Sequence, residues 1–263
     1  MPIHPPAPRR MIPPSATALG LGVALLLAVG VLVVGRVRES QRAARAAATL
    51  SASVARGDPV LRVPHISGPI TLDGDTDDPG WLRPPGPART GAFVLEGGTP
   101  AVPYSESRVV WGGEYLYLAL YASDEDIESR TDRPDEAVRP EEDSFRVVFS
   151  QADVEYAIEV TPRALITDAV RRGGGAWDST WSSGAHASRE LDGTINDARN
   201  MDEEWAIELA VPFASIGMRG EPGENIGMSL RRCDTPRGGG ARVCAGWGDG
   251  PRTGRIVLER VAR

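Results

Sequence analysis

Two acidic clusters and six tryptophans carry most of the chemistry that this chain of 263 residues offers. Asp73, Asp75, Asp77 and Asp78 form the first cluster. Asp124, Asp126, Asp132, Asp135, Glu141, Glu142 and Asp143 form the second. Calcium takes six to eight oxygen ligands from loop carboxylates and carbonyls, and either cluster supplies several. Asp124, Asp126, Glu141 and Asp143 are the calcium ligands expected from the second cluster. The first has Asp at alternate positions, as an EF-hand loop does, but Asp78 stands where the turn glycine is needed and Pro84 where the bidentate Glu belongs. The competing reading of both clusters is a solvated acidic face with turn-capping Asp.

The two cysteines, Cys233 and Cys244, bracket a loop containing Pro236 and three glycines. In an exported domain a disulfide is favoured over two free thiols, and it would remove about 3 kcal/mol of unfolded-state entropy. Neither a Cys-x-x-Cys motif nor a His spacing for zinc is present. His4, His65 and His186 belong to no Ser-His-Asp or metal pattern, and the chain has no Gly-x-Ser-x-Gly elbow and no phosphate loop. An enzyme is therefore not expected, although an acidic chain always contains carboxylate pairs of the kind a glycosidase uses.

The elements that position these residues are short. From Ile66 onward, frequent Gly and Pro separate segments of alternating apolar and polar residues, the pattern of an all-β sandwich or barrel. Arg108–Trp111, Gly112-Gly113 and Glu114–Ala122 predict a hairpin, with Tyr115, Tyr117, Ala119 and Tyr121 on one face and Leu116, Leu118 and Leu120 on the other. Further strands are predicted at Ser144–Phe149, Glu155–Val160, Leu165–Val170, His186–Leu191, Trp205–Val211, Asn225–Arg232 and Arg255–Glu259. Trp111 and Trp205 fall inside strands and read as core, and Trp81 reads as a core plug. Trp177, Trp181 and Trp247 lie in Gly-rich loops, where binding and packing readings both stay open.

Residues 1–15 read as a tail and 16–35 as a transmembrane helix or uncleaved signal anchor. Ala16–Val34 is a 19-residue run in which only Thr17 is polar, and at ~1.5 Å per residue it approaches the ~30 Å of a bilayer core. Residues 36–62, rich in Ala and Arg at first, predict a solvated stalk or linker, and 63–263 the folded domain. Arg9 and Arg10 precede the apolar run, whereas Arg36, Arg38, Arg42 and Arg45 follow it, so charge leaves the orientation open. A single-pass protein with a periplasmic or other extracytoplasmic domain is the expectation. Residues 1–57 hold seven Arg against Glu39, so the remainder carries −13 of the net −7. Such an acidic domain repels a phosphate backbone and excludes nucleic acid as its partner.

Eight segments, in order, resemble the family 9 carbohydrate-binding modules: Ile70-Thr-Leu-Asp-Gly-Asp followed by Trp81; Val110-Trp-Gly-Gly-Glu-Tyr-Leu-Tyr-Leu; Ala122-Ser-Asp-Glu-Asp-Ile; Glu141-Glu-Asp-Ser-Phe; Glu159-Val-Thr-Pro; Trp177-Asp-Ser-Thr-Trp; Glu204-Trp-Ala-Ile-Glu-Leu-Ala-Val-Pro-Phe; and Pro222-Gly through Leu230-Arg-Arg-Cys-Asp. The resemblance covers about residues 66–260. It implies a jelly-roll antiparallel β-sandwich, binding of a glycan or oligosaccharide, and calcium supporting the loops. Members of that family clamp a sugar between two tryptophans, at positions where this chain has Pro140 and the Trp-free Asp249–Arg252. Sugars stack their C–H faces on aromatic rings and pair hydroxyls with carboxylates, amides and Arg. Trp177 and Trp247, with Trp181 beside them and Arg231 as a hydrogen-bond donor, are accordingly the expected platform. The rival reading is a structural or interaction module of the cell envelope, its sugar clamp lost, docking another envelope protein.

Overall fold

The computed structural model describes residues 16–250 and 253–260, with the side chains of 16–30 outside the description. The chain divides into two compact units, Met1–Arg45 and Ala46–Arg263. The first unit is helical from Ala16, the start of α1 (Ala16–Arg56). Most of the apolar run read as a membrane span lies among residues whose side chains are not described. Among the described residues, no helix is long and apolar enough to cross a membrane.

The second unit opens with the last turns of α1. Here the expectation of a solvated stalk up to residue 62 fails, because Ala46, Leu50 and Ser53 recur at helical spacing and face the domain. The Asn225 side chain donates to the Ala46 carbonyl at 3.1 Å, and Arg255 Nε donates to Ser53 Oγ at 3.0 Å. Small residues on that face let the helix approach closely. Strand β1 (Val60–Val63) then enters the sheet directly, so the folded domain begins before residue 63.

Two sheets follow. A seven-stranded sheet runs β1, β12 (Gly254–Leu258), β10 (Asn225–Asp234), β5 (Ser144–Gln151), β6 (Val154–Val160) and β7 (Ile166–Arg172), with β11 (Val243–Trp247) also paired to β10. A five-stranded sheet runs β2 (Ala88–Arg89), β3 (Ser105–Gly112), β4 (Tyr115–Ser123), β9 (Glu204–Pro212) and β8 (His186–Asp192). All pairings are antiparallel except β1 with β12. The nine segments predicted from alternation are all strands, with ends shifted by up to three residues. The short β1, β2 and β11 carry too little alternation to be read in advance. The β3–β4 hairpin turns at Gly113-Glu114, with Gly113 at φ 57°, a conformation that favours glycine.

The core lies between the sheets, where alternation sends Leu116, Leu118, Leu120, Ile207 and Leu209 from one side against Phe145, Val147, Phe149, Ile158 and Leu230 from the other. Trp205 and Trp111 belong to it, as expected. The outer face of the five-stranded sheet has a cover of its own. A short helix, α2 (Pro79–Leu82), seats Trp81 with Ile66 and Ile70 on Val110, Ala119 and Tyr117. Beneath this cover Glu208 is fully buried, although the alternation of β9 had suggested a partly polar outer face. Its carboxylate accepts from Trp81 Nε1 at 2.7 Å and from the backbone N–H groups of Asp73 at 3.0 Å and Gly74 at 2.9 Å. Gly74 sits at φ 106°, and a Cβ there would stand 2.2 Å from the Arg189 backbone, so only glycine lets the loop reach the carboxylate. The first acidic cluster thus serves as turn structure, with Asp73 Oδ1 accepting from Asp75 N and Asp78 from Thr71 N.

Candidate functional site

The outward face of the seven-stranded sheet is built in cross-strand rows. One row is Gly246, Arg231, Arg146, Glu159 and Thr167. The next is Ser229, Val148, Ala157 and Ala169, and the one after is Gly227, Ser150, Glu155 and Arg171. A trough of small residues therefore runs between two charged rows. Arg146 pairs with Glu159 at 3.1 Å, Arg171 pairs with Glu155, and Arg231 pairs with Asp249. Each couple offers donors and an acceptor side by side.

Trp177 completes this face. Asp178 bridges Val170 at the edge of β7, which by alternation puts Trp177 on the same side as Arg171. The Arg171 and Arg146 guanidinium carbons stand 4.7 and 5.2 Å from its ring centre, within cation–π range. The ring is reached from both charged rows, so it spans the small-residue trough. It remains 36% exposed, enough to present surface to a ligand.

The other expected platform residues are placed differently. Trp247 opposes Leu230 and so points inward, half-buried at the core margin and against Gly254. Trp177 and Trp247 occupy opposite faces of the sheet and form no joint platform. Trp181 packs on Tyr156, ring centres 5.4 Å apart, and Tyr156 belongs to the inward side. Arg231 does share the face of Trp177, two strands from Glu159 through Arg146. Arg146, Arg171, Glu155 and Glu159 were missed; their outward alternation in β5, β6 and β7 was the available signal.

The expected calcium ligands are only partly assembled. Asp124 and Asp143 are buried together with Asp234, one carboxylate oxygen of each lying within 4.8 Å of the others. Asp126 is buried beside them, its backbone N–H donating to Asp124 Oδ1 at 3.0 Å and its own Oδ1 without a partner. Glu141 is exposed and outside the group, whereas Glu142 is buried and accepts from Thr131 Oγ1 at 2.8 Å. Asp234 was missed; in the sequence it is the inward residue next but one after Arg232. Both Asp143 oxygens accept backbone N–H groups, from Glu128 at 2.7 Å and Thr235 at 2.9 Å. Asp124 Oδ2 accepts from Trp205 Nε1 and from Arg232 Nη2. Burial, then the neighbouring Asp124, pushes the Asp143 carboxyl up to about 8. Burial also raises Asp234, with Arg232 opposing the shift.

Cys233 and Cys244 face each other across β10 and β11 and form the disulfide, which closes the loop that follows Asp234.

No protein-family model and no curated protein matches the chain. Solved structures do. A candidate carbohydrate-binding protein from Bacteroides uniformis superposes with TM-score 0.59 and 13% identity, over 77% of this chain and 100% of that one. A family 9 carbohydrate-binding module from Caldicellulosiruptor kristjanssonii, in complex with cellotriose, superposes with TM-score 0.54 and 13% identity over 77% and 95%. The same kind of module in complex with glucose gives TM-score 0.50 and 14% identity over 77% and 98%. The fold is that of the family 9 carbohydrate-binding modules. At these identities the likeness establishes architecture, and the ligand has to be argued from this chain's own residues.

Proposed function

We propose that this is a non-catalytic, membrane-tethered glycan-binding module whose ligand lies on the outward face of the seven-stranded sheet. Trp177 is the stacking platform, and the Arg146–Glu159 and Arg231–Asp249 couples are the hydroxyl-binding groups. The observation that carries this reading is the single exposed tryptophan fixed over a trough of small residues by two arginines. A pre-oriented ring loses little freedom when a sugar stacks on it. The three arginines on the face are matched by three carboxylates, an arrangement suited to a neutral ligand. Each carboxylate is committed to an arginine, which favours holding a sugar over transferring protons to it.

The test uses the full chain in detergent micelles, titrated with cello-oligosaccharides and displayed against a glycan array. Trp177→Ala is expected to weaken binding about 10- to 30-fold, as for an aromatic anchor, with an unchanged far-UV spectrum. Silence of the unmodified protein across the array would sink the glycan reading. It would favour the rival, an envelope module docking another protein, which is supported by the absence of tryptophan at Pro140 and in residues 249–252.

The tether is the apolar run Ala16–Val34, supported at its described end by Val31, Leu32, Val33 and Val34, all strongly exposed. With α1 leading into the folded unit, we place that unit outside the cytoplasm, where the disulfide persists. The full chain should stay with membranes in carbonate and be released by detergent. Release by carbonate alone would remove the tether from this proposal.

A further inference from the structure

We propose that Arg232 takes the place of a structural metal ion, so that the loops around Asp124, Asp143 and Asp234 hold together without calcium. Three carboxyl groups with little or no exposure converge there, and any of them that is ionised demands a counter-ion. One is built in. Arg232 Nη2 stands 2.7 Å from Asp124 Oδ2 and 2.6 Å from Asp234 Oδ1, and its side chain is 3% exposed. It reaches the cluster from β10 because alternation turns Arg232 inward beside Leu230, at the end of the core.

Five of the six oxygens of the three carboxylates are already used. Asp143 accepts two backbone N–H groups, Asp124 accepts Asp126 N, Trp205 Nε1 and Arg232, and Asp234 accepts Arg232. Calcium asks for six to eight oxygens at roughly 2.3–2.6 Å, and donors already stand at these five. The cavity that touches Arg232 and Asp234, walled by Val102, Pro103, Val243 and Ala245, has a volume of about 10 Å³. That is space for about one water beside Arg232.

Arg232 is thus a positioning residue. Through Asp124 it fixes the end of β4, and through Asp234 the start of the disulfide loop, while Asp143 ties Glu128 to Thr235. A guanidinium is always charged and covalently attached, so this support does not vary with extracellular calcium.

The experiment measures the Tm of the full chain in detergent, in EDTA and in millimolar calcium, for the natural protein, Asp124→Asn and Arg232→Met. The natural protein should melt within about 1 °C in the two buffers, and any calcium response it shows should survive in Asp124→Asn. Arg232→Met should melt about 10 °C or more lower in EDTA. A calcium site at this cluster, filled at one hundred times its Kd, would raise the natural Tm by about 5–10 °C. Such a rise, lost in Asp124→Asn, overturns the proposal, and so does an Arg232→Met protein as stable as the natural one. Should Arg232→Met fail to fold, the comparison with Asp124→Asn decides by itself. The readout is stability, so glycan binding can fail without touching this inference.

Discussion

Glu208→Ala is expected to lower stability by about 4–6 kcal/mol. Two buried donors, Trp81 Nε1 and the backbone N–H of Gly74, and the part-buried N–H of Asp73 share this one carboxylate. A buried donor left without a partner costs about 1–3 kcal/mol. The loss is partly offset because a buried carboxylate is itself costly, and burial raises the Glu208 pKa. A fall in Tm of about 10–20 °C should follow, a large part of a domain's ordinary stability. Glu208→Gln should fall between, since its amide oxygen still accepts from Trp81 while its NH₂ faces backbone donors. Urea unfolding followed by tryptophan fluorescence measures all three proteins. A shift under about 3 °C for the alanine variant would mean that the 66–82 cover does not depend on Glu208.

Stability should also fall as pH rises from about 5 to 8, and Asp143 should be the main cause. Its carboxyl is raised to about 8 by burial and by Asp124, against about 3.9 in an unfolded chain. Between those values the folded protein binds a proton that the unfolded chain has lost. Folded-state stabilisation from this group is therefore complete below about pH 4 and is lost as pH climbs through about 8, with a slope of at most about 1.4 kcal/mol per pH unit. Burial raises Asp126, Asp234 and Glu208 in the same direction. Asp197, lowered to about 2 by Arg199, titrates outside this window. Denaturant midpoints measured from pH 5 to 9 should decline, and Asp143→Asn should flatten the decline. A profile that rises toward pH 8 would show Asp143 ionised in the fold.

The strands were legible because each has one face that must be buried, and a period of two is visible in a window of seven residues. Trp205 with Ile207 and Leu209, and Leu116 with Leu118 and Leu120, needed no knowledge of their partners. The hairpin at Gly113 was equally local. Strand β11 was not legible: Val243-Cys-Ala-Gly-Trp247 has no apolar rhythm, and its pairing with β10 decides which way Trp247 points.

The candidate site divides along the same line. By itself the sequence determined the sandwich pattern, the glycine-rich setting of Trp177, and that Cys233 and Cys244 were each other's sole possible partner within the chain. Tertiary structure alone decided that Trp177 and Trp247 lie on opposite faces, because a register one residue different would reverse one of them. It alone joined Glu208 to Trp81, 127 positions apart, and Arg232 to Asp124, 108 apart. Those contacts depend on strand order and on what covers each sheet. They follow from long-range packing and burial, which no local spacing of residue types encodes.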